Sequence, residues 1–207
     1  MCMVLTYYGK QFLKITQGDM VIAYNPPRKE YAPTKFGSAL VLSSNKNPFA
    51  DGIETVTYGE TTPFVIDGPG EYEIHDMDIT GVGQLCTNDD GSYYTTVYQT
   101  RIDGISVVFL GYLSEGVQLN PKVREIAERA DVIILPIGDD ATCSPSAAYK
   151  LALSCTPSLI IPVSYTKDHL ARFLKEGGQE VTPIDKLTLK RKDLDGKEGV
   201  IVVLDPQ

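Results

Sequence analysis

An α/β (α+β) fold in a single domain over residues 1–207 follows from three observations on the sequence. The first half is a series of short apolar or alternating runs, as in a β-meander. After Gly111 the hydrophobic period changes, and helical stripes alternate with continuous apolar strands. No linker-like shift of composition separates the two halves, and a chain of this length buries a substantial core.

Val4–Tyr8, Phe12–Ile15 and Met20–Tyr24 read as strands divided by Gly9-Lys10 and Gln17-Gly18-Asp19. Residues 26–37, rich in Pro, Lys and Tyr, read as a surface loop, and Ala39–Leu42 as a short buried strand. Phe64–Ile66, Tyr72–Ile74 and Ile79–Val82 follow; Asp67-Gly68-Pro69-Gly70 between the first two is a tight turn whose Gly and Pro serve backbone geometry. Tyr93–Ile102 and Ile105–Leu110 flank Asp103-Gly104, a hairpin signal because both residues tolerate positive φ.

Asn120-Pro121 pairs an N-cap with a first-turn proline, and Val123, Ile126 and Ala127 give the helical stripe. Val132–Pro136 is apolar throughout, as a strand buried on both faces would be. Ser144-Pro145 opens a second helix reaching about Cys155, with Ala148, Leu151 and Ala152 inward, and Leu159–Val163 is another buried strand. A third helix runs from Lys167-Asp168 to a C-cap at Gly177-Gly178, and Leu187–Leu189 and Val200–Leu204 close the chain as strands.

The formal charge of −8 and pI near 4.8 argue against a nucleic-acid partner, which would need clustered Lys and Arg. The most basic run, Lys186 to Lys192, alternates with apolar residues and reads as the solvated face of a strand. No apolar run approaches the ~20 residues of a membrane span, and the N-terminus has no signal-peptide pattern. Cys2, Cys86, Cys143 and Cys155 are widely spaced, with no Cys-x-x-Cys, and read as reduced thiols. A cytoplasmic protein with no membrane partner is therefore expected. Cys155 reads as core, while Cys86 and Cys143 lie near predicted loops.

Ser43-Ser-Asn-Lys46 matches the Ser-x-x-Lys pattern of serine β-lactamases, but it follows a strand and runs into Asn47-Pro48, which disfavours the helix that chemistry needs. His75 follows a strand and His169 opens a helix; both read as structural or surface residues. A lone metal could draw on Cys86, Asp67, His75 or Ser164, and nothing in their spacing brings them together. Asp139-Asp140 reads as a solvated turn before the second helix.

The stretch Phe64-Val-Ile-Asp-Gly-Pro-Gly-Glu-Tyr-Glu-Ile74 and its flanking strands resemble metal-dependent hydrolases of the metallo-β-lactamase fold, in the branch related to ascorbate-6-phosphate lactonase. The resemblance implies a four-layer αββα sandwich and a centre of two metal ions, zinc among them, held mostly by histidines. It also implies where those ligands belong. The loop after the strand near residue 40 should read His-x-His-x-Asp-His, and here reads Ser43-Ser-Asn-Lys-Asn-Pro48, with the Lys46 ammonium about where a cation belongs. A histidine expected after Ile79–Val82 is replaced by Gly83-Gln-Leu-Cys86, and a bridging aspartate by the tyrosine of Gly111-Tyr112. The last histidine gives way to Pro162-Val-Ser164-Tyr165, and an aspartate before proline to Asn25-Pro26.

The expectation is a homologue of these hydrolases that has lost the dinuclear metal site, carries no cofactor, and works by binding or assembly. The alternative is a metal-independent or atypical-metal hydrolase of a small ester, lactone or phosphorylated substrate with a rebuilt site at Ser43, Ser44, Lys46, Tyr112 and Ser164. Asp67, Glu71, Cys86 and Tyr165 are the ligand-binding candidates, and the rings of Tyr112 and Tyr165 are suited to filling the volume the metals left. The partners implied are further copies of the chain, a paralogue, or a small-molecule ligand.

Overall fold

The computed structural model describes residues 2–59, 62–138 and 142–207, so the Asp139-Asp140 pair lies outside the described residues. The strands in chain order begin with β1 (Met3–Tyr7), β2 (Leu13–Gln17), β3 (Met20–Tyr24), β4 (Leu40–Leu42) and β5 (Phe64–Ile66). They continue with β6 (Gly70–Ile74), β7 (Met77–Asn88), β8 (Gly91–Ile102), β9 (Ile105–Phe109), β10 (Val132–Pro136), β11 (Leu159–Val163), β12 (Leu187–Leu189) and β13 (Val200–Ile201). The helices are α1 (Pro121–Glu128), α2 (Pro145–Ser154) and α3 (Lys167–Gly177).

Pairing follows the hydrophobic alternation. Leu5 sits opposite Ile15, and Ile15 opposite Ile22, so all three bury one face of an antiparallel meander. Among the described residues the first sheet has the order β12-β1-β2-β3-β4-β5 and the second β13-β11-β10-β9-β8-β7-β6. The Asp67-Gly68-Pro69 turn carries the chain from β5 in the first sheet to β6 in the second. The β8–β9 hairpin turns on Asp103 and Gly104 with φ of 54° and 74°, as the sequence predicts.

The inner faces meet in one core, in which Tyr24, Leu42 and Ile66 pack with Ile79, Tyr98, Phe109 and Ile134. The three helices cover the outer face of the second sheet: Val123, Ala148 and Phe173 pack with Val108, Ile133 and Ile160. Over the outer face of the first sheet, Phe12, Ala23 and Val41 are covered by Val56 and Phe36. That layer comes from the segment between β3 and β5. Its regular part is a 3-10 turn at Ile53–Thr55, because Pro26, Pro27, Pro33, Pro48, Gly37 and Gly52 interrupt any longer helical run. The two-sheet sandwich is therefore present, with one helical and one largely irregular outer layer.

Two local expectations change. β7 runs to Asn88, past the predicted end at Val82, because residues 83–88 pair with β8 in the register Leu85↔Tyr94 and Cys86↔Tyr93. Gly81 and Gly83 hide this extension from a pattern reading. Cys86 accordingly lies inside a strand and is buried, rather than beside a loop. The last predicted strand shortens to β13, and Leu204 makes only an isolated bridge to Ile184. Among the described residues no helix is long and apolar enough to cross a membrane.

Candidate functional site

β3, β4 and β5 run parallel to one another, as do β9, β10 and β11, and the β7–β8 hairpin turns at the same end of the sandwich. The residues that follow these strands, Asn25, Ser43 to Lys46, Asp67, Gly111-Tyr112 and Ser164-Tyr165, are thereby gathered at that end. His75 lies at the other end, in the β6–β7 turn, in a cleft with Gln17, Met20 and Asp103. His169 packs against Gly138, where an added carbon would come within 3.1 Å of Nδ1. Its buried Nδ1 has no hydrogen-bond partner among the described residues.

A buried polar network occupies the centre of the gathered end. Asn25 adopts φ of 45°, a left-handed conformation its side chain tolerates, and so turns its amide onto the loop after β4. Its Oδ1 accepts from the Ser44 N–H at 2.8 Å and lies 3.0 Å from the Ser44 hydroxyl, while its Nδ2 is 2.8 Å from the same Oγ and 3.4 Å from Gln11 Oε1. The Thr95 hydroxyl donates to the Ser44 carbonyl at 3.2 Å and accepts from the Tyr112 N–H at 3.1 Å. The Tyr98 hydroxyl donates to the carbonyls of Ser43 and Ile66, at 2.9 and 3.1 Å. Burial pushes the Tyr98 phenol well above the ordinary tyrosine range.

The sequence candidates fall into separate groups. Ser44 and Tyr112 share Thr95, and the Ser43 hydroxyl donates to the Asn45 carbonyl at 3.1 Å. Lys46 forms a 3.5 Å ion pair with Asp67, with the two side chains 79% and 60% exposed. Ser164 is fully buried at φ of 51°, and its N–H donates to the Tyr7 hydroxyl at 2.9 Å. Tyr165 stacks 6.1 Å from Tyr7 and donates to the Leu204 carbonyl; burial raises its phenol to about 12. Glu71 is exposed on the edge strand β6, opposite Thr80, and joins none of these groups. Cys86 packs on the helical side of the second sheet with Cys143, whose thiol burial pushes up to about 12. A thiol held protonated in this way is a poor nucleophile.

One cavity, of about 450 Å³, opens beside the network. Its walls are Asn45, Asn47 and Phe49 from the loop after β4, Asn88, Asp90 and Tyr93 from the β7–β8 hairpin, and Tyr112. The Tyr93 hydroxyl, raised to about 12 mainly by burial, donates to the Tyr112 carbonyl at 2.8 Å. Of these residues the sequence reading singled out only Tyr93 and Tyr112. The overlooked signal was Asn88-Asp-Asp-Gly91, a turn composition between two alternating runs.

These residues do not fit a dinuclear metal centre. Apart from the Asp67 carboxylate, which is exposed and paired with Lys46, the donors at the strand ends are neutral hydroxyls, an amide and backbone carbonyls, whereas a site for two divalent ions needs imidazoles and carboxylates. Among the described residues no three His, Cys, Asp or Glu side chains converge to hold a metal. The space is also filled: a carbon added to Gly111 would come 2.8 Å from Thr95 Oγ1 and 3.0 Å from Ser44 Oγ.

Residues 4–164 match the family model of the β-lactamase superfamily domain, and the chain belongs to that family. A search of curated proteins found no match. Among solved structures, a proposed Zn-dependent hydrolase of the metallo-β-lactamase superfamily from Thermotoga maritima aligns at 25% identity and a TM-score of 0.76, covering 98% of each chain. A proposed metal-dependent hydrolase from Parabacteroides distasonis aligns at 16% identity and a TM-score of 0.70, over 99% of this chain and 94% of that one. A metallo-hydrolase from the archaeon Ignicoccus hospitalis gives 16% and 0.66, over 92% and 99%. The last two likenesses are likenesses of fold.

Asn25→Ala leaves the buried Ser44 N–H without its acceptor and is expected to cost about 2–3 kcal/mol, read from the urea midpoint. Lys46→Ala, which removes a solvent-exposed pair, should cost less than about 1 kcal/mol in the same assay. The raised Tyr93, Tyr165 and Cys143 groups fix the sign of a pH effect. Each stays protonated in the fold but ionises in the unfolded chain from its ordinary value of 10.0 or 9.0, so stability is complete below pH 9 and falls as pH rises towards about 12. A midpoint that holds constant over that alkaline range would contradict their burial.

Proposed function

We propose that this chain is a β-lactamase-superfamily member that has given up the dinuclear metal centre and works by binding or assembly. The observation that carries this reading is the closure of the Asn25–Ser44–Thr95 network against Gly111, where hydroxyls and an amide are spent on one another and on backbone. A serine nucleophile needs an adjacent base. Here Ser43 is tied to the Asn45 carbonyl, Ser44 to Asn25, and the Lys46 ammonium to Asp67 in solvent.

The hydrolase reading draws its support from the Thermotoga maritima likeness. On that reading the substrate is a small ester, lactone or phosphorylated compound, and Ser43, Ser44, Lys46, Tyr112 and Ser164 must rearrange to act. Elemental analysis of protein purified without chelators and then exposed to Zn²⁺, Mn²⁺ and Fe²⁺ tests the loss of the metal centre, and an ester and lactone hydrolysis screen of the metal-free protein separates binding from metal-independent hydrolysis. The expected result is no metal retained after dialysis and an unchanged melting temperature. Stoichiometric metal surviving dialysis overturns the metal-loss reading.

Self-association, in a cytoplasmic setting that keeps the four cysteines reduced, belongs to the same proposal. Leu85 and Tyr94 face each other across β7 and β8, and both are exposed large apolar side chains. Light scattering is expected to show a homo-oligomer that Tyr94→Glu shifts towards monomer; a monomeric parent protein would remove this part of the proposal.

A further inference from the structure

We infer that the cavity between the loop after β4 and the β7–β8 hairpin binds a neutral polyhydroxylated ligand, a saccharide. The inference rests on the binding reading above and gives it a chemical class of ligand. Three features of the lining converge on it, and the volume of about 450 Å³ lies within the ~300–1,000 Å³ range of small-molecule sites.

The first is aromatic surface. Tyr93, Tyr112 and Phe49 supply apolar ring area to a site that is otherwise polar, which suits a ligand with a C–H face and a hydroxylated rim. The rings are held. Tyr93 is bonded to the Tyr112 backbone, and Phe49 stacks 4.6 Å from Tyr31 with the Lys10 ammonium 5.6 Å from its centroid.

The second is a set of oriented amides. Asn45 Nδ2 donates to the Tyr94 carbonyl at 2.9 Å, Asn47 Nδ2 donates to Asn45 Oδ1 at 3.2 Å, and Asn47 Oδ1 accepts from the Phe49 N–H at 2.8 Å. Asn88 Oδ1 accepts from the Asp90 N–H at 3.1 Å, which fixes the amide with its two Nδ2 hydrogens uncommitted in that contact. A primary amide has two donors and two acceptor lone pairs, so each of these side chains keeps capacity after its structural bonds are made. Groups oriented before binding lose little entropy when a ligand arrives.

The third is charge. Asp90 is the one carboxylate among the lining residues, which include no Lys, Arg or His, and the nearby Lys46 is paired with Asp67. A carboxylate repels phosphate and carboxylate ligands but accepts from hydroxyls, and the amides donate to the same kind of group. Hydroxyls, which donate and accept at once, match both.

Saturation-transfer NMR on the metal-free protein tests this with glucose, maltose, cellobiose and N,N′-diacetylchitobiose, and with glucose 6-phosphate and adenosine for contrast. The expected result is transfer to ring C–H protons of at least one neutral sugar and weaker binding of glucose 6-phosphate. Binding of glucose itself marks a free sugar as the ligand; binding of the disaccharides alone marks the end of a glycan chain. Asn88→Ala and Asp90→Ala, both on a hairpin tip, should each weaken binding about tenfold, the loss of one or two hydrogen bonds, with circular dichroism unchanged.

No transfer to any neutral sugar, tighter binding of adenosine or glucose 6-phosphate, or affinity indifferent to both variants overturns the saccharide site and leaves the metal-loss reading intact. Hydrolysis of a bound sugar by the metal-free protein overturns the binding-only reading and leaves the site standing.

Discussion

The hydroxyl of Tyr98 stands in the second sheet but spends its hydrogen on the first, at the carbonyls of Ser43 and Ile66. Those two carbonyls end neighbouring strands, and both are buried where no water can reach them at small cost. Close packing of apolar side chains already sets how the two sheets meet, and directional hydrogen bonds between them add a further register. Those from Tyr98, and one between Tyr24 and Thr100 at 2.6 Å, are of this kind. Because the Tyr98 phenol is fully buried, ionising it would strand a charge in the core, so the fold holds it neutral and keeps its proton committed.

The loop after β4 depends on that register. Tyr98 takes the Ser43 carbonyl, Thr96 N–H takes the Ser44 carbonyl at 2.8 Å, and Asn25 takes the Ser44 N–H. A divalent ion at such a position organises its loop by drawing charged ligands inward. Here neutral dipoles do the organising, which removes the need to bury charge and leaves the ionic pair, Lys46 with Asp67, outside in water. The same substitution closes the space. Glycine at 111 lets Ser44 and Thr95 approach the chain where a side chain would collide.

Most of the architecture was legible in the sequence because it rests on short-range patterns. Asp103-Gly104 announced its hairpin, Asn120-Pro121 and Ser144-Pro145 their helix starts, and the apolar runs Val132–Pro136 and Leu159–Val163 their central strands. The extension of β7 was not legible, since Gly81 and Gly83 weaken the pattern and its support is the partner strand. Strand order gathers Ser43, Ser44, Lys46, Tyr112 and Ser164 at one end of the molecule, but Glu71 lies out on the edge strand β6 and Cys86 on the helical side of the second sheet. Their chemistry was not visible, because burial and hydrogen-bond partners belong to tertiary structure. Ser44 reads in sequence as a serine of the loop after a strand and lies in fact buried among Asn25, Thr95 and Gly111. The cavity was harder still: its walls come from three separate segments, residues 45–49, 88–93 and 112, which only the fold brings together.

Tyr112 joins the two halves of this end of the protein. Its N–H is bound by Thr95 inside the network, while its ring and carbonyl belong to the cavity, where the carbonyl anchors Tyr93. The cavity wall is thus positioned in part by the buried network of Asn25, Ser44 and Thr95. A carboxylate at position 112 would place an ionised group on the cavity wall, beside the Phe49 carbonyl that the Tyr112 hydroxyl now reaches. Tyrosine instead fills volume, adds ring surface to the cavity, and keeps its backbone bond to Thr95. At position 112 the backbone thus serves the buried network while the residue lines the cavity.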